Sequence, residues 1–214
     1  MAVKFLYAGG VGEIVEKKSR FIAETAPVHS EEEAAAFLET IRKKYWDAGH
    51  HCSAFVIGEK NPVTRCSDDG EPSGTAGRPI LDILLGEGIS NACIVVTRYF
   101  GGTLLGTGGL VRAYGQAAKA GLAESIVLER HPGVEMQFTT DYSGIGKIQY
   151  VAGNMGLTET GSEYTEVARL SYMVPVELAD ALSAKITEAT AGKTKIEELR
   201  KVDFAFYGKE LLVL

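Results

Sequence analysis

Five glycines crowd into nine positions of this chain, Gly101, Gly102, Gly106, Gly108 and Gly109. Each loses extra backbone freedom on folding, so a chain keeps this many only where it needs positive φ or close approach of its backbone to another group. The stretch follows Ala92-Cys93-Ile94-Val95-Val96-Thr97, apolar enough for a strand buried on both faces. It precedes a helix expected near 110–124. The segment from Arg98 to Arg112 is therefore a strand-to-helix loop. A second polar, glycine-bearing loop runs from Arg65 to Gly77 and leads into a helix expected near 76–85. The elements between the loops are long enough to leave the sheet and return, so both loops should lie on one face of one domain. There Asp68, Asp69 or Glu71 should pair with Arg98 or Arg112, fixing loops too rich in glycine to order themselves.

Several chemistries compete for these residues. A P-loop needs a lysine after its second glycine, and Thr107 stands there. A dinucleotide fingerprint fails at Val111, where a third glycine should fall. His50, His51, Cys52 and Cys66 offer zinc ligands, but none of the paired spacings of zinc sites occurs. Asp68, Asp69 and Glu71 could hold magnesium beside a phosphate, or simply cap turns and the following helix. Ser73 lacks the first glycine of a nucleophile elbow, because Glu71 occupies it. Cys66 beside Arg65 has no identifiable base. The expectation is no catalytic residue, no metal and no cofactor.

Charge restricts the partners. Residues 1–133 carry 14 Lys and Arg against 16 Asp and Glu, and residues 134–214 carry 8 against 12, giving the net −6. Phosphate backbones need concentrated cations. Lys193, Lys195, Arg200 and Lys201 form the one small basic cluster of the second half, interleaved with Glu197 and Glu198. They mark a possible contact with a folded RNA, not a general RNA-binding face. Three scattered cysteines, no apolar run of membrane-spanning length and no signal-like start predict a cytoplasmic protein without disulfides or membrane contact.

The pattern also predicts where the chain divides. Glu129-Arg130-His131-Pro132-Gly133 closes on a turn signal and sets domains at 1–131 and 134–214. In the first, residues 13–26 form a hairpin turning at Glu16-Lys17-Lys18-Ser19. Ser30-Glu31-Glu32-Glu33 is a capping box, and Ala34, Phe37, Leu38, Ile41 and Tyr45 share a helix face. Residues 51–57 read as a strand. The second domain reads as βαββαβ: a strand at 134–140, a helix at 143–155, two strands with the second near 167–174, a helix through Leu182 and Ile186, and a last strand at 194–199. That order is ferredoxin-like.

Ser67-Asp68-Asp69-Gly70-Glu71-Pro72-Ser73-Gly74-Thr75-Ala76-Gly77, Val95-Val96-Thr97-Arg98-Tyr99-Phe100-Gly101-Gly102 and Leu105-Gly106-Thr107-Gly108-Gly109-Leu110-Val111-Arg112-Ala113-Tyr114 resemble the YigZ/IMPACT family, and His51-Cys52-Ser53-Ala54 matches the motif that opens its domain. The resemblance covers roughly the first 130 residues. It implies an α+β protein: an N-terminal domain similar to ribosomal protein S5 domain 2, then a ferredoxin-like domain, both like the last two domains of elongation factor G. Eukaryotic members restrain activation of a stress kinase that blocks translation initiation. What carries over is a non-catalytic, translation-linked binding role toward a protein or ribosomal partner, with no statement of oligomeric state. The expected binding residues are Ser67, Asp68, Asp69, Gly70, Glu71, Ser73, Gly74 and Thr75 on one loop, with Arg98, Tyr99, Phe100, Gly101, Gly102, Gly108, Gly109 and Arg112 on the other. The alternative is a small-molecule hydrolase acting on a phosphorylated or peptide substrate at the same loops.

Overall fold

The computed structural model describes residues 3–214 and divides into two compact units, 1–129 and 130–214. The first unit is built on β1 (Val3–Ala8), β2 (Val11–Glu16), β3 (Ser19–Pro27), α1 (Glu31–Lys44), β4 (His50–Ile57), β5 (Val63–Ser67), α2 (Gly77–Glu87), β6 (Ile89–Ser90), β7 (Ala92–Tyr99) and α3 (Thr107–Ala123). Five strands form an antiparallel sheet in the order β2-β3-β7-β4-β5, and β1 pairs with β6 in parallel. The central strand β7 is buried on both faces, as its composition predicts. Ile94 and Val96 join the core under α2 and α3, whereas Cys93 and Val95 pack against α1.

Local rules explain most of these elements. The β2–β3 hairpin turns at Lys17 and Lys18, both at positive φ, which matches the twist of the strands. Ser30 Oγ accepts the Glu33 amide of α1, and the Glu33 carboxylate reaches back to the His29 amide instead of that of Ser30. Two expectations need correction. Arg65, Cys66 and Ser67 belong to β5, an edge strand paired with β4, so the first loop proper is 68–76. α3 begins at Thr107, so Gly108, Gly109 and Arg112 are helical and the second loop proper is 100–106. The glycine pair hid that first turn, since glycine weakens helices by about 1 kcal/mol relative to alanine.

The second unit contains the greater part of β8 (Ile126–Thr140), then α4 (Tyr142–Asn154), β9 (Thr158–Tyr164), β10 (Ala168–Pro175), α5 (Ala179–Ala189), β11 (Lys195–Tyr207) and β12 (Glu210–Val213). Its strands run in the order β9-β10-β8-β11-β12. Ile148, Ala152, Leu182 and Ile186 of the two helices close a core over Phe138 and Leu170. Pro132 and Gly133 make no turn. They continue β8, paired with Asp203 and Val202, and a Cβ on Gly133 would lie 2.6 Å from the Phe204 ring. Glycine is there for close packing. The last strand runs on past 199 and returns as β12 through Gly208 at φ +61°. Alternation in the strand near 167–174 sets Arg169, Ser171 and Met173 opposite the apolar Ala168, Leu170, Tyr172 and Val174, yet Met173 is buried with its sulfur near Gly133. Among the described residues no helix is long and apolar enough to cross a membrane.

Candidate functional site

The two loops leave the same end of the first unit's sheet, because β5 ends at Ser67 beside β4, and β7 ends at Tyr99 on the other side of β4. They are joined by a buried ion pair. Arg98 Nη1 donates to Glu71 Oε1 at 2.6 Å, with the two side chains only 7% and 4% exposed. Tyr114, on the buried face of α3, donates its hydroxyl to the same Glu71 oxygen at 2.7 Å. Ser19 Oγ lies 3.4 Å from Arg98 Nη2, and the guanidinium sits between the rings of Phe21 and Phe100, 5.4 and 5.5 Å from their centroids. Of the pairings expected between the loops, Glu71–Arg98 forms. Arg112 is exposed on α3 and meets no carboxylate among the described residues.

The other acidic residues of the first loop are occupied by the fold. Asp68 Oδ1 accepts the Ala76 and Gly77 amides at the start of α2, and Oδ2 accepts that of Gly74. Burial pushes its carboxyl up, but the amide hydrogen bonds outweigh this and hold it below the usual aspartate value. Asp69, at φ +43°, takes the His51 amide on Oδ2 at 2.6 Å and Arg42 on Oδ1 at 3.1 Å. Its carbonyl accepts from His50 Nδ1, so that nitrogen carries the proton and Nε2 faces Glu71 at 3.9 Å. Ser67 Oγ accepts the Asp69 amide, Gly70 sits at φ +87° and the Thr75 hydroxyl closes a turn onto the Pro72 carbonyl. These are capping and turn contacts.

No nucleophile is prepared. Ser73 is exposed with no hydrogen-bond partner among the described residues, and His51 is spent on the Tyr45 carbonyl and on Asp69. Burial pushes the Cys52 thiol up to about 12, and it donates to the Asp68 carbonyl. Among the described residues no group of three or more His, Cys, Asp and Glu is arranged to hold a metal ion.

The second loop leaves apolar groups in solvent. Phe100 is 57% and Leu104 83% exposed. With Leu105, Leu110, Pro72 and the Glu71–Arg98 pair they line a pocket of about 460 Å³ that also borders His50, Gly106 and Thr107. Tyr99 donates to Asp47, which ties the 46–49 loop and its exposed Trp46 to this end of the sheet. Gly101 is needed because a Cβ would strike the Lys18 backbone at 2.0 Å, and Gly102 and Gly106 hold positive φ. Sequence reasoning missed Tyr114, Ser19, Leu104 and Trp46 as members of this surface. A lone Trp directly after a helix-ending run, Arg42-Lys43-Lys44-Tyr45, was the one available signal.

Comparison with known proteins is decisive about kinship. The Impact N-terminal domain model matches residues 17–122, and a Domain of unknown function (DUF1949) matches 138–193. IMPACT family member YvyE of Bacillus subtilis is 42% identical over 189 residues, covering 88% of this chain and 87% of that protein. The chain belongs to the IMPACT family. IMPACT family member YigZ of Escherichia coli is 37% identical over 84% of this chain and 89% of its own. Protein IMPACT of Mus musculus is 34% identical over 98 residues, 44% of this chain and 30% of that protein. A solved structure described as that of a hypothetical protein covers 94% of this chain at 34% identity, with a TM-score of 0.58. Both loops of this IMPACT-family chain fall inside the matched N-terminal domain.

Proposed function

We propose that this protein is a non-catalytic, translation-linked regulator that binds a protein or ribosomal partner at the end of the first unit's sheet. Membership in a family whose eukaryotic branch acts on translation supports the translation link. The observation that carries the binding reading is the division of labour between the loops. Every carboxylate of the first loop is consumed by amides, Arg42, Arg98 or Tyr114, while the second exposes Phe100 and Leu104 beside a pocket. Exposed aromatic and aliphatic anchors around a pocket are what dominate interface energetics. A hydrolase would need a nucleophile activated by a neighbouring base, and the free hydroxyl of the site, Ser73, has no such base hydrogen-bonded to it among the described residues.

The same reading extends to the domains. The order β9-β10-β8-β11, with Ile148, Ala152, Leu182 and Ile186 of the two helices in one core, supports a ferredoxin-like second domain, and the family resemblance supports a relation of the first domain to ribosomal protein S5 domain 2. RNA contact through the basic cluster has less support, since Lys195 pairs with Glu197, Arg200 pairs with Glu135 and the Lys193 charge acts on the Asp141 carboxylate, leaving Lys201 among the described residues. Affinity recovery of ribosomes and translation factors by the wild type and by a Phe100→Ala/Leu104→Ala variant tests the proposal. The variant should lose its partner, and equal recovery would remove these loops from the binding role.

A further inference from the structure

We infer that the pocket between the two loops captures the free C-terminal carboxylate of a polypeptide whose last residue is apolar. This rests on the binding reading above and names its ligand chemistry. The first amides of any helix lack acceptors within the helix. In α2 that need is met by Asp68. In α3 the N-cap is Gly106, which has no side chain to offer, and the amides of Thr107, Gly108 and Gly109 meet no acceptor among the described residues. Gly106 and Thr107 border the pocket, so this anion-attracting end opens onto it.

Two further observations point to a ligand there. Arg98 is 6% exposed and lines the same pocket, yet its buried Nε–H has no acceptor. Around the point where a Cβ on Gly108 would stand, the Arg112 guanidinium is the side-chain neighbour within 4 Å among the described residues, at 3.7 Å. Arg112 has no carboxylate partner among the described residues, so this cation stands without a counter-charge at the first turn of α3.

The pocket's chemistry separates a carboxylate from a phosphate. Glu71 is part of its wall and its charge is matched by Arg98, so the one cation left without a counter-charge beside the first turn of α3 is Arg112, which suits a monoanion better than a dianion. The remaining wall is Phe100, Leu104, Leu105 and Leu110, which suits the side chain next to a terminal carboxylate and not the hydration shell of a phosphate. Backbone amides are an established cradle for chain termini.

The test is an amide-resolved NMR titration of the full chain with acetyl-Gly-Leu as the free acid, with its C-terminal amide, and with inorganic phosphate. The acid should shift the amide resonances of Thr107, Gly108 and Gly109, and the amide form should bind at least about tenfold more weakly, since charge-assisted hydrogen bonds are lost. Thr107→Asp places a carboxylate in the first turn of α3, where it favours the helix. It should abolish the acid-dependent shifts with Tm unchanged or raised, which separates lost binding from lost folding. Equal binding of acid and amide, shifts with phosphate but not the acid, or no shifts with the acid would each overturn the inference. If the acid fails to bind while Phe100→Ala/Leu104→Ala still loses its partner, the carboxylate assignment falls and the binding reading stands. If the acid binds as expected and that variant keeps its partner, the reverse holds.

Discussion

The loops 68–76 and 100–106 lie at one end of one sheet, each leads into a helix, and they solve the start of that helix in opposite ways. The first supplies its own acceptors: Asp68 takes three amides, Asp69 takes one amide and Arg42, and Glu71 takes Arg98 and Tyr114. The second supplies none, opens α3 with glycine, and turns Phe100 and Leu104 outward. A polar loop can therefore be scaffold and a glycine-rich one display. Residue chemistry alone reads both loops as functional and does not tell that the carboxylates of the first are taken up by the fold.

The comparison breaks hardest at the Glu71–Arg98 pair that joins the loops. A buried pair adds little net stability, but removing one partner strands a charge away from water and costs about 3–5 kcal/mol. Glu71→Ala should lower the stability of the first unit by that amount in a denaturant titration. Arg98→Ala should do the same. A loss under about 1 kcal/mol would mean that the loops do not depend on each other, since surface changes stay below that size. For this reason an Arg98 variant cannot serve as a clean probe of binding.

How much of this could be read beforehand divides along physical lines. The strand 92–97 was legible as a continuous apolar run, because burial on both faces leaves no polar position from Ala92 to Val96, and the strand 51–57 and the helix face through Ala34 and Ile41 because one-sided burial imposes a period. The meeting of the loops followed from the lengths between them. The start of α3 was not legible, because Gly108 and Gly109 read as loop until Leu110, Ala113 and Tyr114 are seen packing from one helix. Pro132-Gly133 misled for the opposite reason: a turn signal is local, whereas Gly133 is there to admit the Phe204 ring from a distant strand. Tyr114 sat among apolar positions of a helix, and nothing in its spacing told that its hydroxyl completes the site.

A middling effect is expected at Asp68. Its carboxyl is held below the ordinary aspartate value of 3.8, so its contribution is fully present above that pH and is lost as pH falls through the lower folded-state value. Asp68→Asn should cost about 1–3 kcal/mol near neutrality, because three amides lose a charged acceptor. It should also flatten the acid limb, so that wild type and variant converge as the pH drops below about 4, where the unfolded aspartate titrates. Parallel stability curves down to acid would show that Asp68 does not set the shape of its loop. Measurement of Tm across the acid range decides it.

The smallest stability effect belongs to the residues to which the comparison gives the largest functional one. Leu104→Ala removes a side chain already 83% in solvent, so little apolar surface returns to water and the change should stay within about 0.5 kcal/mol. Phe100→Ala also forfeits the ring over the Arg98 guanidinium, a cation–π contact between a half-exposed ring and a buried cation worth about 1 kcal/mol. Both side chains line one pocket, so the double variant also reports any coupling between them. A double variant that unfolds with the wild type to within about 1.5 kcal/mol, yet fails to recover a partner, would identify the second loop as display surface. If the double variant instead lost as much stability as Glu71→Ala, Phe100 and Leu104 would be holding the loop together. The contrast between scaffold and display would then dissolve into a single cooperative unit.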